Sequence, residues 1–167
     1  MSTWRKELEG GLVREGTMNN RGTPHGFFRE WFPNGELRLE HQYDNGELHG
    51  ICRQFASDGK LIGEFTMEHG DGIRLEYYDS AILQIRWRQF HIGDGYCAME
   101  ELFDIYGTHP IRGYTWKGHT VRTKKRFLKL LGECQLVLPP GDSINDPIAW
   151  ARFAQEARRY IPKAKQK

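Results

Sequence analysis

The chain has 167 residues, 38% hydrophobic and 13% aromatic, with 19 glycines; it is lean in aliphatics for a deep core but rich enough in aromatics for cross-strand packing. The net charge of +2 hides an asymmetry: residues 117–167 carry 12 Lys or Arg against 4 Asp or Glu, leaving 12 against 18 in residues 1–116, so an acidic region precedes a basic one. No apolar run approaches the roughly 20 residues of a membrane-spanning helix, no apolar leader follows Met1, and Cys52, Cys97 and Cys134 fit neither a disulfide framework nor a paired-cysteine metal site. Free core thiols in a reduced, cytoplasmic setting are the expectation.

Glycines then recur in phase along the chain. Gly26, Gly50, Gly72 and Gly95 form one column, with steps of 24, 22 and 23 residues. Gly11, Gly35, Gly59, Ala81 and Gly107 form a second, and Gly22, Gly46, Gly70, Gly93 and Gly118 a third. Three columns in phase mark an internal repeat. Asn34-Gly35 and Asp58-Gly59 supply one set of turn signals; Asn45-Gly46, Asp71-Gly72 and Asp94-Gly95 supply the other. The segments between them alternate with period two. Leu37, Leu39 and Tyr43 oppose Arg38, Glu40 and Gln42; Leu83, Ile85 and Trp87 oppose Gln84, Arg86 and Arg88. Each repeat therefore reads as one β-hairpin, and the array as a mainly β, antiparallel meander. Residues 26–118 are expected to give about eight strands. Trp31, Phe55 and Tyr77 occupy one aromatic column, five residues after the first-column glycine, and are expected on one face. Glu40 and Glu64 share a column that Arg86 continues with opposite charge.

This pattern resembles the MORN repeat, and more closely the variant form found in bacterial proteins. The resemblance is carried by Trp31-Phe32-Pro33-Asn34-Gly35-Glu36-Leu37 and by Tyr43-Asp44-Asn45-Gly46-Glu47-Leu48-His49-Gly50, with a partial match at Ser57 to Leu61 and Glu64. It covers about residues 10–118 and decays after Gly72, where Ala81 replaces a turn glycine and Arg86 an acidic residue. It implies an open hairpin array acting as a scaffold or recognition surface, and the bacterial variant family includes antitoxin-like proteins.

Residues 1–118 thus form the array, and 119–167 a basic end that resembles nothing nameable. There, Phe127, Leu128 and Leu131 are at helical spacing, with Gly132 placed to close a short helix. Cys134 to Leu138 reads as a strand or extended segment. Asp146-Pro147 gives an N-cap and first-turn proline for an amphipathic helix over about 147–161, with Trp150, Phe153, Ala154, Ala157 and Ile161 as its stripe and Pro162 as its stop. The stripe is expected to cap the sheet, since a thin sheet with two open faces cannot bury its apolar residues alone.

No nucleophile, phosphate-loop or zinc-protease motif occurs, so no catalytic residue, cofactor or metal is assigned. His25 and His49 share a repeat position, which structural recurrence explains more simply than metal binding. The leading functional reading is a non-enzymatic protein-binding module, of antitoxin or immunity type, that masks a toxin or other protein. Trp31, Phe55, Tyr77, Glu40, Glu64 and Arg86 are its candidate contact residues. A peripheral membrane scaffold and an enzyme with its site on the repeat face are the alternatives. The acidic array argues against nucleic acid.

Overall fold

The computed structural model describes residues 1–92, 95–108 and 110–159. Twelve antiparallel strands form one open sheet: β1 (Ser2–Glu7), β2 (Val13–Met18), β3 (Pro24–Trp31), β4 (Leu37–Asp44), β5 (Glu47–Leu48), β6 (Gly50–Phe55), β7 (Leu61–Glu68), β8 (Asp71–Tyr77), β9 (Leu83–Ile92), β10 (Gly95–Leu102), β11 (Ile111–Trp116) and β12 (His119–Thr120). Spatial order follows chain order, except that the two-residue β5 pairs only with β4. The expected meander is the fold, and it starts one hairpin earlier than residue 26.

From β3 to β9 two kinds of loop alternate. In the first, a three-residue loop is closed by two backbone bonds. Phe32 N–H donates to Glu36 O (2.8 Å) and Gly35 N–H to Phe32 O (2.9 Å); the Ala56–Lys60 and Tyr78–Ile82 loops repeat the pattern. Its last position needs positive φ: Gly35 and Gly59 lie at +89° and +83°, and Ala81 is held at +63°. The second kind is a two-residue turn with both φ positive, at Asn45-Gly46, His69-Gly70 and Lys117-Gly118.

The reversal expected near Gly70–Gly72 is present, made by His69-Gly70 and not by the Asp71-Gly72 dipeptide. Asp71-Gly72 lies inside β8, and Glu68↔Asp71 is the pair that closes the His69-Gly70 turn. The third repeat lacks two of the three residues that separate turn from column glycine in Asn45-Gly46-Glu47-Leu48-His49-Gly50. Gly95 likewise sits within β10, opposite Ile92; Asp94 lies outside the described residues.

Two helices follow, α1 (Lys124–Glu133) and α2 (Pro147–Arg158), with a 3-10 helix at Gly141–Asn145 between them. Asp146 caps α2, its side chain accepting from Ile148 N–H (3.0 Å), with Pro147 in the first turn. Helix α2 lies across β8 and β9, and α1 against β11. Between them and the sheet, Phe90 is fully buried, its ring centroid 4.9 Å from Phe153, 5.8 Å from Trp150 and 6.4 Å from Phe127. The Trp150 indole N–H donates to Gln89 O (3.0 Å). Each such aromatic contributes about 1.5–3 kcal/mol by burial, so the main core is the joint between the helices and this end of the sheet. Ile161 and Pro162 lie outside the described residues. Helix α1 runs past Gly132 to a cap at Cys134, with Gln135 at φ +59°. Of the strand or extended segment expected over Cys134 to Leu138, no strand forms: Cys134 and Gln135 make a turn, and residues 136–140 carry no regular secondary structure. Among the described residues no helix is long and apolar enough to cross a membrane.

The sheet has a seam. Strands β7 and β8 pair only at Met67↔Gly72 and Glu68↔Asp71. Beyond that point the Gln54 side chain of β6 takes over: its amide donates to Tyr77 O (2.6 Å) and accepts from Tyr77 N–H (2.9 Å).

Two outcomes follow from this architecture. Ala81→Gly relieves a left-handed alanine, which costs roughly 1–2 kcal/mol, against the entropy glycine adds to the unfolded chain. A net gain of about 0.5–1 kcal/mol is expected, read as a higher urea midpoint at constant slope; an unchanged or lower midpoint would show that the loop bears no such strain. Deleting residues 145–167 uncovers Phe90, Ile73 and Ile92, and the remaining chain should aggregate or melt early. Size-exclusion chromatography showing a monomer with the native melting curve would refute the capping role of α2.

Candidate functional site

Loop lengths fix register, and register sets up a row of charges. Across β1, β2, β3, β4, β6 and β7 the directly opposed residues are Arg5, Glu15, Arg29, Glu40, Arg53 and Glu64. Opposed residues share a face, so these six alternate in sign along one face. Arg5–Glu15 (2.9 Å), Arg29–Glu40 (2.8 Å), Glu40–Arg53 (3.5 Å) and Arg53–Glu64 (2.8 Å) are ion pairs. Aromatics brace the row: Arg5 lies over Trp31 (4.9 Å) and Arg29 over Phe27 (4.8 Å). Among the described residues α2 packs on β8 and β9, beyond the strands that carry this row. Exposed pairs of this kind contribute roughly 0.2–1 kcal/mol each, too little for stability alone to account for the row.

Of the six residues expected to form a contact surface, four meet here. Glu40 and Glu64 are rungs, and Trp31 and Phe55, both half-buried, alternate with Glu30 and Gln54 so as to share the side of Arg29 and Arg53. Tyr77 departs: its ring lies against Gly63, whose cross-strand partner is Gln54, so it turns to the opposite face because β8 has left β7. Arg86 belongs to a separate cluster, paired with Glu101 (3.2 Å). The unforeseen members Arg5, Glu15, Arg29 and Arg53 left one trace in the sequence, the 24-residue spacing shared by Arg29/Arg53 and Glu40/Glu64.

The opposite face carries linked rings: Trp4 to Phe28 (6.1 Å), Phe28 to His41 (6.4 Å) and to Tyr43 (6.2 Å), and His41 to Phe65 (6.0 Å). Beside them is a groove of about 370 Å³ whose lining includes Arg14, Glu30, Arg38, His41, Arg74 and Tyr77. Glu30 is fully buried and bridges Arg14 and Arg38. Arg38, expected opposite Leu39, reaches it because the sheet bulges between Glu30 and Trp31. Arg74 lies over Trp87 (4.7 Å) and pairs with Glu76 (2.5 Å). Burial pushes the His41 imidazole down to about 4, aided by the Arg74 charge and opposed by that of Glu30.

The shared histidine position has a structural role. His25 Nδ1 accepts from Asn45 N–H (3.4 Å) and His49 Nδ1 from His69 N–H (3.3 Å), and Cys97 Sγ accepts from Lys117 N–H (3.4 Å) in the same way. Each ties one hairpin to the turn of the next. Among the described residues no cluster of three or more His, Cys, Asp or Glu is arranged to hold a metal ion. Cys52 and Cys97 are free and buried; burial raises the Cys97 thiol to about 11, which keeps it protonated and unreactive.

Neither a scan against protein-family models nor searches against curated proteins and solved structures returns a match.

His41 makes stability depend on pH. The unfolded chain takes up its proton near pH 6.5, the folded chain only near 4, so the unfolded state binds more protons in between. The stabilisation is present above about pH 6.5 and is lost as pH falls towards 4, by up to about 3 kcal/mol. Urea midpoints of the native chain should fall more steeply over that window than those of His41→Phe; parallel profiles would exclude His41 as the source.

Proposed function

We propose that the chain is a non-enzymatic protein-binding repeat module of antitoxin or immunity type, working in the cytoplasm, that masks a partner protein through the charged face of β1–β7. The observation that carries this is the uncovered, sign-alternating row from Arg5 to Glu64. At roughly 4.8 Å per strand it extends about 24 Å, a length suited to one edge of a protein interface. Fixed alternating charges contribute little to folding but much to register and partner choice, and Trp31 and Phe27 add the aromatic-plus-arginine chemistry common at interface centres. The likeness of residues 31–50 to the MORN variant repeat points the same way. A membrane scaffold fits less well, because a row of alternating Arg and Glu offers an anionic surface no net attraction.

The test pairs the native chain with Arg29→Gln/Arg53→Gln, which removes two cations from the row and introduces no like-charge contact. The product of the adjacent reading frame is the first partner to try, by co-purification and calorimetry. The variant should bind at least about tenfold more weakly, with its melting temperature held within about 2 °C. Equal binding by both chains, or sedimentation of both with anionic vesicles in place of any protein, would overturn the reading.

A further inference from the structure

A second charged centre lies under the helices. Glu101 of β10 faces Arg86 of β9 and Arg112 of β11 across the sheet. Its carboxylate pairs with Arg86 (3.2 Å), Arg88 (2.9 Å) and Arg112 (3.1 Å). Arg88 is buried and anchored further by Ile144 O (3.2 Å) and the Asn145 side chain. Burial by itself would raise the Glu101 carboxyl; the Arg88 charge and hydrogen bonds from Arg112 and Arg88 outweigh it and hold the group below the usual range. One ionised carboxylate thus serves three guanidinium groups.

The excess positive charge opens into a cleft of about 730 Å³ between β9–β11, α1 and the segment leading into α2. Arg112 and Lys124 stand on its lining, and Tyr114, Leu128, Leu138 and Ile144 supply apolar surface. Lys124 has no ion-pair partner among the described residues, and Leu128 is 42% exposed. Lys124, Lys125 and Arg126 fill the first turn of α1, which has no acidic residue. Cations there oppose the helix dipole, and an anion bound beside them would relieve that repulsion. Lys129 continues the exposed basic surface beyond the cleft.

We infer that this cleft binds an acidic segment of a protein partner, its carboxylates held by Arg112 and Lys124 and its apolar side chains laid against Leu128, Leu138 and Ile144. The planar guanidinium fork matches a carboxylate. The apolar lining selects a ligand that alternates charge with hydrocarbon, and the row Lys125, Arg126 and Lys129 takes further acidic residues of an extended chain. Nucleic acid fits less well, because Glu100 and Glu101 stand in the lining and repel closely spaced phosphates. The site is separate from the row on β1–β7 and does not depend on it.

The experiment screens the full chain against an array of short synthetic peptides in which acidic and apolar content vary independently. The best peptide is then titrated by fluorescence anisotropy against the native chain, Arg112→Gln/Lys124→Gln, Leu128→Glu and Arg29→Gln/Arg53→Gln. Retention should require both carboxylates and apolar residues. Affinity should fall at least about tenfold in the first two variants and with added salt, and stay unchanged in the third. Leu128→Glu tests an exposed position, so its effect is not that of a collapsed fold; melting curves for each variant confirm this. The inference is overturned if no acidic peptide is retained, if glutamine-for-glutamate peptides bind equally, if only Arg29→Gln/Arg53→Gln loses binding, or if oligothymidylate binds in preference to the peptides.

Discussion

Every other feature of this molecule depends on where the chain is forced to reverse. A strand slipped by one residue turns all its side chains to the wrong face, and an open sheet covered at only one end has little core to correct the error. Loop chemistry supplies the correction. Gly35, Gly59 and Ala81 hold the positive φ that ends each three-residue loop, and Asn45-Gly46 and His69-Gly70 hold the paired positive angles of the two-residue turns. With these lengths fixed, Arg29 must face Glu40 and Arg53 must face Glu64. The His25, His49 and Cys97 acceptors then bind each hairpin to the next turn, so register propagates from neighbour to neighbour.

The charges show three uses of one device, a carboxylate set between guanidinium groups. On the open face, Glu40 takes Arg29 and Arg53 in partial contact with water. On the other face, Glu30 is wholly withdrawn from water, and Arg14 and Arg38 compensate its desolvation. Under the helices, Glu101 is shared by three arginines and leaves positive charge over.

Much of this was legible in the sequence, for physical reasons. Most column glycines sit at positive φ, as at Gly35, Gly46 and Gly59, so the meander and most of its reversals could be placed. The capping pair Asp146-Pro147 and the stripe from Trp150 to Ala157 located α2. Long-range partnership stayed hidden. Arg86 and Arg88 alternate with Ile85 and Trp87 as a solvent-facing row would, yet Arg88 is buried, because Glu101, Ile144 and Asn145 come from distant segments to satisfy it. Glu30 resembles any surface glutamate until its two arginines arrive from adjacent strands. His69-Gly70 and Asp71-Gly72 are rival turn dipeptides two residues apart, and only the pairing Glu68↔Asp71 decides between them. Tyr77 keeps the column of Trp31 and Phe55 in sequence and leaves it in space, because the strand that carries it peels away from its neighbour.

That parting gives the array a joint. In a linear stack each unit is held only by its neighbours, and here the ladder between β7 and β8 is cut to two residue pairs, with side chains spanning the rest: the Gln54 amide on Tyr77, Ser57 on Asp79, and Leu75 against Cys52, Phe65 and Met67. Gln54 occupies the repeat position that Glu30 holds one unit earlier, but uses it as a latch, supplying from a side chain the two bonds that β7 no longer offers to Tyr77. The molecule is thereby jointed. Its two parts are braced differently, one by charges, turns and linked surface rings and the other by helices packed on the sheet, and side chains rather than a full ladder join them.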